Sequence, residues 1–234
     1  MDININGLIV PTEDKWIYSF FGYQTVCPAD VEKALQSAKP DEQVDVWINS
    51  PGGSVYDGSE IYTRLKAYKG TVKIHITGIA ASAASVIACA SWCEIAPTAQ
   101  IMIHDAACES GGNKLDHTAM ADLLDKTDKT IANAYRLKTG RTEAEILEKM
   151  DNTTYFTPQE AVDFGLADAI MFDNENKLND RLQLTASSIS LLPEAVISKM
   201  RTERNSKNTN GDFDKLKAQA KLNLIKRGGK INGS

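Results

Sequence analysis

The chain has 234 residues, of which 42% are hydrophobic, 24% charged and 7% aromatic, enough to bury a full core and too balanced for a disordered or fibrous protein. A formal net charge of −5 argues against nucleic acid as the main partner, and four cysteines (Cys27, Cys89, Cys93 and Cys108) are too few for a disulfide framework. The charge is uneven: residues 199–234 carry ten Lys/Arg against three Asp/Glu, leaving 16 basic and 28 acidic residues upstream, an acidic body with a basic tail.

In chain order, MDININGLIV shows neither a positively charged leader region nor a cleavage site, so no secretory signal is expected and a reduced, cytoplasmic setting follows. CPADVEKALQSAKP spaces Val31, Ala34, Leu35 and Ala38 as a helix between two prolines. QVDVWINS alternates Val44, Val46 and Ile48 and predicts a strand, followed by a turn at SPGGS. YDGSEIYTRLKAYKG puts Ile61, Leu65 and Tyr68 on one helical face, and TVKIHITG alternates Val72, Ile74 and Ile76 as a second strand ending near Thr77. The run GIAASAASVIA then reads as a helix, too interrupted by serine for a membrane span. CEIAP and AQIMIH predict short strands, 115–138 and 142–150 two helices with a Thr142/Glu145 capping box, PQEAVDFG a last core helix, and DAIMF a final strand. Strands alternating with helices imply an α/β domain with a largely parallel sheet over residues 1–172. Residues 173–234 form a polar linker and basic tail, expected to be flexible or partly helical, whose end DFDKLKAQAKLNLIKRGG is amphipathic.

Three features carry chemistry. Ser50-Pro51-Gly52-Gly53 lies between a strand and a helix, where glycine leaves backbone N–H groups bare; by itself this is an ordinary tight connection, and no phosphate-loop pattern is present. Ser82 falls at the first turn of a helix, where N–H groups and the dipole favour developing negative charge. His104 ends an apolar strand, whereas His75 sits in a strand alternation and His117 on a polar helix face. Serine, histidine and a glycine turn together point to nucleophilic acyl transfer, because a hydroxyl needs a base and a tetrahedral oxyanion needs donors. Cys89 and Cys93 lack a second Cys/His pair, so no metal site is expected; they read as buried free thiols.

INSPGGSVYDGSEIY, GIAASAAS, PTAQIMIHDA and TPQEAVDFGLAD occur in an order and spacing that resembles the Clp protease proteolytic subunits (ClpP), and looks most similar to the phage-type head maturation members, over residues 1–172. The resemblance implies a ClpP/crotonase-like α/β fold of repeated units with a protruding handle helix, corresponding here to CESGGNKLDHTAM and the helix running to Lys138. It implies Ser82 as nucleophile, His104 as general base, and backbone N–H groups of Gly53 and Ala83 as oxyanion donors, with no cofactor and no metal. At the acidic third position the gapless match places Thr153, and Asp151 is the nearest carboxylate. The consequences are a slow enzyme, one that uses Asp151, or an inactive protein. In a serine protease of another fold, Asp→Asn at this position costs about 10⁴ in kcat.

The resemblance further implies a homo-oligomeric ring, commonly of heptamers stacked in pairs, acting on protein or peptide substrates. An ATPase unfoldase or capsid and scaffold proteins are the partners it suggests, with no nucleic acid and no membrane. A catalytically weakened ring acting as a scaffold is the alternative reading, motivated by Thr153. A crotonase-like enzyme holding thioester enolates is a further one, against which Ser82 and His104 at family spacing argue.

Overall fold

Alternation in the two central strands produces a sheet with one sealed face. In β3 (Val44–Gly53) and β4 (Val72–Ala81), the side chains of Val44, Val46, Ile48, Ile74 and Ile76 are buried, while Asp45, Trp47 and Lys73 face the other way. The computed structural model describes residues 1–173, Val196 and residues 198–200. The amphipathic end of the chain lies outside the described residues.

The remaining elements are β1 (Asp2–Ile9), α1 (Lys15–Phe20), β2 (Thr25–Val26), α2 (Pro28–Ser37), α3 (Val55–Ala67), α4 (Ala83–Ala88), β5 (Trp92–Ile95) and β6 (Gln100–Ile103). They are followed by α5 (Lys114–Thr139), α6 (Glu143–Asp151), β7 (Thr154–Phe156), α7 (Pro158–Phe164) and β8 (Ala169–Ile170). The sheet runs β2-β1-β3-β4-β5-β8 with parallel neighbours; β6 pairs with β4, and β7 closes onto β6 as the one antiparallel ladder among the described residues. The parallel α/β sheet expected from strand–helix alternation is therefore present.

Local patterning and structure part company at three places. The first 27 residues, to which patterning assigned no element, contribute β1, α1 and β2. β1 pairs with β3 along Asp2↔Asp45 to Asn6↔Asn49, a partner 43 residues away. The SPGG segment is not a free turn but the end of β3, paired Leu8↔Gly52 and Ile9↔Gly53. Finally, β4 continues to Ala81 instead of ending near Thr77, because β6 docks on its second half through Ile79↔Gln100, Ala80↔Ile101 and Ala81↔Met102. The helix expected from residue 78 shrinks to the six residues of α4.

Several helix starts are chemically specified. The hydroxyls of Thr142 and Thr157 each accept the backbone N–H of the Glu three residues on, whose carboxylate accepts the threonine N–H in return, forming capping boxes at α6 and α7. α5 is the protruding handle: Ala132, Ala134 and Tyr135 near its C-terminus are buried, whereas Leu115 near its start is 76% exposed. His75 is structural. Its ring stacks on Trp47 at 4.3 Å, with Nδ1 2.7 Å from Glu94 and Nε2 3.0 Å from Asp45. Met200 is buried against Leu8, Val10, Ile17, Tyr18 and Cys27. Among the described residues no helix is long and apolar enough to cross a membrane.

Candidate active site

Ser82 sits where β4 becomes α4, with φ 54° and ψ −127°, a conformation that a non-glycine residue adopts at a cost of about 1–3 kcal/mol. Two sets of contacts hold it there. Its N–H donates to the Met102 carbonyl at 2.9 Å, extending the β4–β6 ladder by one residue. Its carbonyl accepts from the Ser85 hydroxyl at 2.6 Å, and that hydroxyl also meets the Tyr135 hydroxyl of α5 at 2.7 Å. Ser85 is thus a buried strut between helices.

The small residues around Ser82 are required by close approach from two sides. A methyl group on Gly52 would lie 2.7 Å from Ser82 Cβ and 2.6 Å from the Ala81 carbonyl oxygen. One on Gly58, in α3, would lie 2.8 Å from Ala83 Cβ. Real Cβ contacts are not that short, so β3 and α3 press directly on the Ser82–Ala83 corner.

His104 is the residue after β6, and its Nε2 lies 2.8 Å from Ser82 Oγ. Burial holds its pKa below the ordinary histidine value, with the charge of Asp128 acting in the opposite direction. The imidazole is therefore neutral at pH 7, and a proton on Nδ1 leaves Nε2 free to accept from the serine hydroxyl. The nucleophile and base expected from sequence, 22 residues apart in the chain, are in hydrogen-bond contact.

The carboxylates are arranged differently from the sequence expectation. Thr153 is exposed, at φ 46° in the turn after α6, with its N–H on the Met150 carbonyl. Asp151, the last residue of α6, faces Asp105, and no hydrogen bond joins it to His104 among the described residues. Asp128, which no local pattern singled out, accepts the Ala106 N–H at 2.6 Å and, among the described residues, is the carboxylate whose charge reaches His104. It sits on a polar stretch of a long exposed helix, where an aspartate looks like any other solvated charge.

Burial, then Asp128, then Asp151 raise the pKa of Asp105, whose buried Oδ1 accepts no hydrogen bond among the described residues. A raised folded-state pKa means that stability is present when Asp105 is protonated and is lost as pH rises through that value. Asp105→Asn is expected to raise the melting temperature at pH 7 by about 1–2 °C, the screened equivalent of roughly 0.5 kcal/mol. The gain should shrink towards pH 4 in thermal scans of both proteins.

The two amides expected from sequence as oxyanion donors are placed by strand and helix geometry. The Ile9 carbonyl of β1 accepts the Ser54 N–H at 2.9 Å, and successive strand N–H groups alternate in direction, so the Gly53 N–H lies on the edge of β3 that faces β4. Ala83 is the first residue of α4, where the N–H has no intrahelical acceptor. Ala83 directly follows Ser82, and Gly52, the neighbour of Gly53, packs against the Ser82–Ala83 corner. Cys27, Cys89 and Cys93 are buried free thiols, and burial pushes Cys89 up to about 12, keeping it protonated.

A family model described as Clp protease matches residues 32–174. The ATP-dependent Clp protease proteolytic subunit of Deinococcus radiodurans is 30% identical over 140 residues, covering 58% of this chain and 69% of that protein. Subunit 1 of the corresponding protease of Chlamydia abortus is 35% identical over 143 residues, covering 59% and 74%. Subunit 3 of Rhodococcus jostii is 30% identical over 141 residues, covering 58% and 69%.

Proposed function

The chain belongs to the Clp protease family and is a serine-type peptidase, and on that premise we propose that it cleaves peptide bonds through an acyl-enzyme at Ser82. The 2.8 Å contact between Ser82 Oγ and His104 Nε2 is the observation that supports this reading most directly. His104 takes the hydroxyl proton as Oγ attacks the scissile carbonyl carbon, and the resulting oxyanion is held by the N–H groups of Gly53 and Ala83. The same imidazole then protonates the departing amine. Water, deprotonated by His104, attacks the ester carbonyl, and collapse of the second oxyanion returns Ser82 to its free hydroxyl.

Within the family we assign the chain to the phage-type head maturation branch, on the resemblance of INSPGGSVYDGSEIY and GIAASAAS to those members. The substrates would then be capsid or scaffold precursors in the cytoplasm, processed inside a ring of identical subunits, with any ATP-driven unfolding supplied by a partner. Its domain would occupy residues 1–172, with 173–234 as an appended segment. Thr153 at the acidic position favours one second reading, a ring that assembles but hydrolyses poorly.

Intact mass after incubation with a fluorophosphonate probe separates the two. One adduct per chain in the parent and none in Ser82→Ala is expected. An assembled parent that stays unmodified would support the scaffold reading instead.

A further inference from the structure

We propose that Asp128, on the handle helix α5, is the positioning residue that supplies His104 with the negative charge its third partner ordinarily gives; the inference rests on the peptidase reading of Ser82 and His104. The geometry is specific. Asp128 Oδ1 accepts the Ala106 N–H at 2.6 Å, two residues beyond His104, and so fixes the handle helix against the segment that carries the base. Asp128 is half-buried, where a charge is less screened than on the open surface. The attraction is mutual: Asp128 favours the imidazolium form of His104, and His104 favours the ionised form of Asp128.

The groups facing this carboxylate come from three places. Asp125 lies on α5 itself, Asp151 comes from the end of α6, and Asp105 and the Ala106 N–H come from the segment after β6. Burial first, and then the charges of Asp125 and Asp151, raise the pKa of Asp128 against the Ala106 hydrogen bond and His104. Asp151 competes poorly for the role. Its charge bears on Asp105 and Asp128, and among the described residues no hydrogen bond joins it to His104. Thr153 is exposed and carries no charge. In peptide hydrolysis the imidazole becomes positive as it takes the Ser82 proton, so a fixed carboxylate nearby stabilises the transition state without itself accepting a proton.

Asp128→Asn separates the charge from the structural contact, because the asparagine side-chain carbonyl still accepts the Ala106 N–H. Three readouts are made on the full-length protein. Peptide hydrolysis by Asp128→Asn should show kcat reduced about 10- to 100-fold with KM little changed. The acid limb of its kcat/KM profile should move to lower pH, because loss of the carboxylate disfavours the imidazolium further. Histidine Cε1 NMR, with His104 assigned by its loss in His104→Gln, should show the same downward move in Asp128→Asn, partial return in Asp128→Glu, and no change in Asp151→Asn.

A His104 titration that is the same in Asp128→Asn as in the parent overturns the proposal whether or not the protein is active. So does a shifted titration with undiminished kcat. Failure of the underlying reading looks different: Ser82→Ala would then hydrolyse peptides as fast as the parent, and the role of Asp128 would fall with that of His104.

Discussion

Replacing His104 by glutamine is expected to lower kcat by about 10⁴-fold or more relative to the parent while leaving the melting temperature nearly unchanged. The imidazole meets Ser82 Oγ at 2.8 Å and is only half-buried, so its removal takes away the base without opening a cavity in the core. Glutamine can still hydrogen-bond the hydroxyl but cannot carry its proton at neutral pH. The pH profile gives a sharper signature. Only the neutral imidazole accepts the serine proton, so kcat/KM in the parent rises with pH through the His104 pKa. Burial disfavours the imidazolium, which places that limb below the ordinary histidine value of 6.5. His104→Gln should erase the limb. A variant retaining parental kcat, or the same limb, would show that another group activates Ser82.

Gly53→Ala is expected to cost both stability and rate. Gly53 has φ 149°, outside the range L side chains readily adopt, and its added Cβ would fall far inside contact distance of the Ile9 carbonyl in β1. β1 cannot retreat freely, because Ile3, Ile5 and Ile9 are buried in the core and paired with β3. Backbone strain and overpacking together amount to about 3 kcal/mol, or roughly 6–12 °C in melting temperature for a chain of this size. Any relief rotates the peptide that carries the Gly53 N–H, so kcat should fall by about 10²–10³-fold as an oxyanion donor is lost. Thermal scans and steady-state kinetics on the same preparation test both. Full activity with parental stability would remove Gly53 from the oxyanion hole.

The pairing of Ser82 with His104 was legible mainly through the resemblance of GIAASAAS and PTAQIMIHDA to the Clp protease subunits, and each residue also stands at a structural boundary. Small residues crowd around Ser82, and the apolar QIMI strand ends immediately before His104. Their contact follows from β4–β6 pairing, in which Ala81↔Met102 aligns the two strand ends. Asp128 had no such signal. It lies among polar residues of a 26-residue helix most of which is exposed, and it gains its meaning only where that helix crosses the segment after β6.

By itself, the sequence determined what depends on nearest neighbours along the chain. Alternation of Val44, Val46 and Ile48 set a strand with one buried face, the Thr142/Glu145 pair capped α6, and Gly140 ended α5 in the left-handed conformation that glycine tolerates. Only the tertiary structure decided what depends on distant partners. The extension of β4 to Ala81, the recruitment of Asp2–Ile9 as a sheet strand, and the pull of SPGG into β3 all come from ladders between segments far apart in the chain. The choice of carboxylate beside His104 is of the same kind. Electrostatic influence falls off with distance in space, and separation along the chain says nothing of it, so Asp151, the aspartate nearest Thr153 in sequence, was not the one whose charge reaches the base.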